Sequence, residues 1–244
     1  MTTTPPQPRV FLTAEWRSLL MLNYAIDPAV LRPLVPYGVE VDLWRGEALV
    51  SMVGFLFLDT RVMGVPIPFH RNFEEVNLRF YVRRQTPEGW RRGVTFVREI
   101  VPRQAIATLA RVLYNEPYLA CAMRHRVEPG SCEYGWHFGG RWNGMSAEFT
   151  GEPAALGEGS AEEFIFEHYW GYTRQRDGGT AEYRVEHPRW RAWTARNARL
   201  DCEAATLYGA DFAKALAADP VSAFLAEGSP ISVRRGARMG AAEV

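Results

Sequence analysis

Apolar and polar residues alternate most regularly between Phe73 and Arg84. Val76, Leu78, Phe80 and Val82 fall on one face, and Glu75, Asn77, Arg79, Tyr81 and Arg83 on the other. A period of two predicts a strand with one face against a core. Glu47 to Leu58 is apolar on both faces, which predicts a central, fully buried strand. It is joined to Val39–Trp44 across Arg45-Gly46, a hairpin signal. Gly93 to Val101 reads as the next strand after a turn over Thr86 to Arg92, and Pro102 ends it. Further strands are expected at Tyr118–Val127, Cys132–Phe138, Arg141–Phe149, His168–Arg176, Thr180–His187, Arg191–Leu200, Val221–Leu225 and Ile231–Arg235. Asp177-Gly178-Gly179 gives the strongest hairpin signal.

Helical patterns are few. Asp27 is a suitable N-cap for Pro28–Val35, with proline at the first helical position. Gln104–Tyr114 is amphipathic, with Ile106, Leu109, Ala110 and Leu113 inward. Ser160 caps a turn of helix carrying Glu162 and Glu163, and a short helix spans Ala210–Ala217. Many strands, few helices and no βαβ rhythm predict an α+β fold on a large curved, partly closed antiparallel β-barrel with a few outer helices.

The 244 residues suit one domain. A Thr/Pro-rich lead is expected over 1–10, a single domain over 11–238, and a flexible tail over 239–244. Net charge is zero, so nothing draws the chain broadly toward nucleic acid or an anionic membrane. Its longest apolar run, Ala48 to Leu58, is too short to span a bilayer. Cys121, Cys132 and Cys202 form no CxxC pair and fit reduced thiols in a cytoplasmic protein. Of 28 basic residues, one is lysine, Lys214. Arginine stays protonated in proteins, so any Schiff base would rest on Lys214.

No Walker loop, GxGxxG, HExxH or GxSxG occurs, and the five histidines lack metal-ligand spacing. No cofactor and no metal site are expected. Charge instead concentrates in three segments: His70 to Arg79, Arg98 to Arg103, and Tyr114 to Tyr118. Under strict alternation, Val94, Phe96 and Ile100 share a face with Arg98, and Thr95, Val97 and Val101 share one with Glu99. Either ion then points into apolar surroundings and needs a partner from Glu75–Arg79. The charges equally fit cross-strand pairs on a solvated face.

Six segments, Arg17–Tyr24, Val53–Arg61, Pro68–Tyr81, Arg98–Pro102, Tyr169–Tyr172 and Glu186–Trp190, carry a family likeness. They resemble the YqjF-like family of uncharacterised bacterial proteins, in the acetoacetate decarboxylase-like superfamily. The resemblance implies a conical β-barrel with an internal pocket for a small acid. In the decarboxylases an Arg-Glu pair is followed by Pro-Lys, whose lysine forms the imine. Here Arg98-Glu99 is followed by Pro102-Arg103, so imine chemistry is not expected.

Two functional readings follow. One is a lyase, hydratase or isomerase type of enzyme acting on a small carboxylic or β-keto acid. Arg98 or Arg79 would clamp the carboxylate, Glu99 or Glu75 would act as acid or base, and His70 would shuttle a proton. Asn77, Arg103, Tyr114 and Tyr172 complete the substrate side. The other is a non-catalytic barrel holding an organic acid or acyl ligand, walled by Trp136, Phe138, Trp142, Tyr169, Trp170 and Tyr172. A homo-oligomer is compatible with either; nucleic acid and membrane are not expected partners.

Overall fold

The computed structural model describes residues 8–66, 68, 70–104 and 115–240. The expected helix Gln104–Tyr114 therefore lies, from residue 105 onward, outside the described residues, as does Tyr114.

The chain runs β1 (Val10–Ile26), β2 (Glu40–Val41), β3 (Ala48–Val62), β4 (Val65–Pro66), β5 (Phe73–Thr86), β6 (Gly89–Val101), β7 (Tyr118–Ala120), β8 (Met123–Glu128), β9 (Ser131–Phe138), β10 (Arg141–Glu148), β11 (Ala154–Ala155), β12 (Trp170–Arg174), β13 (Thr180–Glu186), β14 (Arg191–Thr194), β15 (Arg196–Asp201), β16 (Ser222–Arg234) and β17 (Ala237–Met239). Short helices occupy Pro28–Leu31, Ala161–Phe166, Ala204–Tyr208 and Ala210–Leu216. Asp27 and Ser160 cap the first two, accepting from the backbone N–H of Ala29 and Glu163.

In the larger sheet the order β16-β1-β3-β5-β6-β12-β13 returns to β16 through a β13–β16 pairing, closing a ring of strands. Neighbours are antiparallel except β6 with β7 and β6 with β12, which are parallel. A second sheet, β15-β10-β9-β8, lies over the outside. The fold is the expected one: strand-rich, large and curved, with few helices.

Two cores result, one on each side of the ring. Val76, Leu78, Phe80 and Val82 pack outward against Tyr134, Trp136 and Met145 of the small sheet and Tyr208 and Phe212 of the last helices. Tyr134 lies so close that a β-carbon on Gly54 would meet its ring at 2.6 Å. Inside the ring, Met21, Val53, Phe55, Phe73 and Tyr81 pack with Phe166, Trp190 and Phe224. β3, apolar on both faces, supplies both cores.

Several elements differ from expectation for local reasons. β1, the longest strand, gives no clean alternation, because Ser18 sits at φ 54° and the register slips between Arg17 and Leu20. Tyr118–Val127 and Arg191–Leu200 each divide into two strands belonging to different sheets. Val221–Leu225 and Ile231–Arg235 are instead one strand, β16. Gly228 carries it through φ 78°, where a β-carbon would fall 2.0 Å from the Trp16 carbonyl oxygen. The turn before β6 is shorter than expected, since β6 already begins at Gly89.

Candidate active site

The polar face of β5 points into the ring. Glu75, Asn77 and Arg79 line an internal cavity of about 200 Å3, and Tyr81 lies in the core beside it. Across from them, β6 carries a bulge: Leu78 pairs with Arg98 but Arg79 pairs with Phe96, leaving Val97 as an extra residue. The bulge resets the parity of the strand. Val94, Phe96 and Glu99 all face the cavity, while Ile100 joins the outer core. Strict alternation had placed Val94 and Phe96 opposite Glu99; the extra residue is why they share its face.

Arg98 therefore lies outside this cavity. It borders a separate surface cleft, where its Nε donates to the Leu207 carbonyl at 2.9 Å. Arg103 is exposed beyond the end of β6. Tyr172 is buried in the outer core, its hydroxyl donating to the Arg91 carbonyl at 3.4 Å. Trp136 belongs to the same core, Trp142 is exposed, and Trp170 is the member of the expected aromatic wall closest to its role, since it lines the cavity. His70 lines the cavity with Nδ1 donating to the Pro68 carbonyl at 2.8 Å.

Glu75, Glu99 and Glu116 are buried together, at 2%, 3% and 5% exposure. The Glu75 carboxylate accepts from Asn77 Nδ2 at 3.0 Å and from the Tyr118 hydroxyl at 3.1 Å. Glu116 accepts from Thr173 Oγ1 and from the Tyr183 hydroxyl, the latter at 3.0 Å. Glu99 hydrogen-bonds toward Tyr118 and Glu116. Desolvation raises Glu75 and Glu116 to about 7. Burial, reinforced by its two acidic neighbours, pushes Glu99 well above the usual carboxylate range. At neutral pH the cluster therefore retains protons.

Arg79 stands near these acids without a salt bridge among the described residues. Its Nε is buried without a hydrogen-bond partner, and Nη2 reaches Met21 Sδ at 3.8 Å. Its guanidinium carbon lies 5.8 Å from the centroid of the Tyr81 ring. A protonated acid cluster leaves this cation free to receive an anion.

A further group lies at the Tyr81 side of the cavity. Asp42, next to β2, accepts from Arg92 Nε at 2.6 Å and from His168 Nε2 at 3.2 Å. The His168 ring lies 4.8 Å from that of Tyr81 and 5.0 Å from that of Phe164. Burial lowers His168 to about 4, outweighing its bond to Asp42, so the imidazole is neutral at pH 7. Aromatic side chains, among them Trp16, Phe55, Phe57 and Trp190, complete the walls.

Buried side-chain atoms without a hydrogen-bond partner concentrate at this cavity. Trp16 Nε1, Thr60 Oγ1, Asn77 Oδ1, Arg79 Nε, Glu99 Oε2 and His168 Nδ1 all belong to residues that line it. Each such atom is costly in a core unless it is bonded or hydrated, so unmet polar capacity gathers around this cavity.

Of the residues expected from the sequence, the fold brings Glu75, Asn77, Arg79, Glu99 and His70 to one cavity. Glu116, Tyr118, Tyr183 and the Asp42–His168 pair, which also gather there, were not among them. Glu116 sits in a segment flagged for its charge. His168 gave no local signal, because its partner is 126 residues away.

The ring of strands and its internal cavity define an acetoacetate decarboxylase-like fold. The acetoacetate decarboxylase of Legionella pneumophila superposes with a TM-score of 0.68 at 15% identity, covering 98% of this chain and 93% of that one. The enduracididine biosynthesis enzyme MppR, complexed with pyruvate, gives 0.66 at 12% identity over 98% and 93%. The chain itself belongs to the DUF2071 family of uncharacterized conserved proteins, whose model matches residues 13–230. It is also 28% identical to the uncharacterized protein YqjF of Bacillus subtilis over 201 residues, 79% of this chain and 78% of the relative.

Proposed function

We propose that this protein is an enzyme of the lyase, hydratase or isomerase type acting on a small carboxylic or β-keto acid without a covalent imine. The observation that carries this reading is the convergence of unpartnered buried polar atoms on one cavity that also holds three carboxyls of raised pKa and a guanidinium without a salt bridge among the described residues. Arg79 holds the substrate carboxylate. Glu99, whose pKa burial raises furthest toward the neutral acid, donates a proton to the substrate, and the ionised fraction of Glu75 or Glu116 accepts the proton the substrate gives up. His70 is the solvent-side proton carrier in this scheme. Lys214 is exposed on the helix Ala210–Leu216 and does not line the cavity, so among the described residues no lysine amine is in place to attack a carbonyl. The three free thiols support a reducing, cytoplasmic setting.

The aromatic walls favour a second reading, a barrel that holds an acid or acyl chain without converting it. Thermal-shift screening against small carboxylates and β-keto acids, with turnover followed on every hit, tests both. An acid should stabilise wild type and Arg98→Ala alike but not Arg79→Met. Glu99→Gln should then keep binding and lose turnover. Equal stabilisation of Arg79→Met rejects the clamp. Binding with no turnover in wild type selects the second reading.

A further inference from the structure

We infer that His168 Nδ1 is a built acceptor for a hydroxyl group of the ligand, and that the favoured ligand class is a short hydroxy acid. The inference rests on the proposed acid site and specifies its substrate.

The argument starts from the tautomer. An imidazole held against a carboxylate keeps its proton on the nitrogen that faces the carboxylate. His168 Nε2 faces Asp42 Oδ2, which is itself fixed by Arg92 at 2.6 Å. The proton therefore sits on Nε2, and Nδ1 presents a bare lone pair. The side chain is 1% exposed, lines the cavity, and Nδ1 has no hydrogen-bond partner. Two aromatic rings, Tyr81 and Phe164, pack against the imidazole. The Tyr81 ring is in turn anchored, its hydroxyl 2.5 Å from Ser51 Oγ, which bonds Asn23 Oδ1 at 2.6 Å. An acceptor so held, on a side chain that lines the cavity, favours a ligand that brings a donor.

The cavity sets the size of that ligand. Arg79 and His168 both line the same space of about 200 Å3, so the ligand that fills it is small. A carboxylate cannot serve both ends, because a carboxylate accepts and Nδ1 also accepts. A keto oxygen fails at Nδ1 for the same reason, and an unsubstituted acid leaves the lone pair unmatched. A small acid that also carries a hydroxyl offers Arg79 an acceptor and Nδ1 a donor.

Binding of butyrate, 2-hydroxybutyrate, 3-hydroxybutyrate and acetoacetate to the full chain, by calorimetry, tests this directly. One of the hydroxy acids should bind about tenfold tighter than butyrate and acetoacetate, the penalty for leaving a buried acceptor unmatched. In His168→Phe, which keeps a ring in the slot, the four affinities should converge. Ring 15N shifts of wild-type histidines, assigned through bonds from the backbone, should show His168 Nδ1 as the unprotonated nitrogen. They give an answer even where the variant does not fold. A protonated Nδ1, or hydroxy acids no tighter than butyrate, overturns the inference while leaving the acid site standing. Failure of all four acids to bind rejects the acid site and this inference with it.

Discussion

Replacing Glu116 with glutamine removes one ionisable group from the buried acid cluster while keeping its shape. Gln Oε1 can still accept from Thr173 and Tyr183, and the new amide can donate toward Glu99. In the unfolded chain Glu116 titrates near 4.5; in the fold, desolvation raises it to about 7. Between those two values the unfolded state releases its proton and the native state does not, so native stability falls as pH rises. At about 1.4 kcal/mol per pH unit the loss is on the order of 3 kcal/mol, complete above pH 7 and absent below about 4.5. Glu116→Gln escapes it. The variant should match wild type at pH 4.5 and exceed it by about 3 kcal/mol at pH 8, a gain of about 6–12 °C in Tm for a domain of this size. Urea and thermal denaturation of both proteins across that range measure the difference. Carboxylates with the opposite linkage, such as Asp42, cancel in the comparison. A stability difference that does not change with pH would show Glu116 titrating as it does in water, and would refute the raised pKa on which the acid cluster's protonation rests.

The Asp42 group has the opposite sign. Its pKa is lowered to about 2 by His168 and Arg92 despite its burial, so Asp42→Asn should lose on the order of 2 kcal/mol at pH 7 and nothing at pH 2, measured by denaturant unfolding. In Gly171→Ala the new β-carbon would lie 2.1 Å from Tyr183 Cζ. The ring must leave Glu116, and stability should fall by about 1–3 kcal/mol with weaker ligand binding in calorimetry. Borohydride treatment with a β-keto acid should leave the Lys214 peptide unmodified by mass spectrometry, and an adduct there would reinstate imine chemistry.

How much of this was legible in the sequence depended on the range of the signal. The Phe73–Arg84 alternation carried both the strand and the inward set Glu75, Asn77 and Arg79, because a two-residue period is a local rule. Asp27 and Ser160 were legible as caps for the same reason. The orientation of Glu99 was not, since it hangs on one bulge residue, Val97, that no local pattern marks. β1 was missed where Ser18 breaks its period. Asp42 and His168 meet only through the closure of the ring, and nothing in either neighbourhood announces the other.

The ring is unevenly hinged. β1 pairs with β16 along nearly its whole length, but β13 meets β16 through two residue pairs and β12 meets β6 through two. The β12–β13 hairpin therefore hangs between two short seams, with β17 along its edge. It carries Thr173 and Tyr183, the two hydroxyls on Glu116. Few ladder bonds therefore fix the two hydroxyls that hold Glu116, and the ion pairs of Glu182 with Arg84 and Arg91 carry much of the hairpin's attachment to the ring. Loosening of these seams would strip Glu116 of its donors and lower its pKa toward that of a hydrated carboxyl. Hydrogen exchange at Val185, Glu186, Val233 and Gly171 should then run ahead of the rest of the ring.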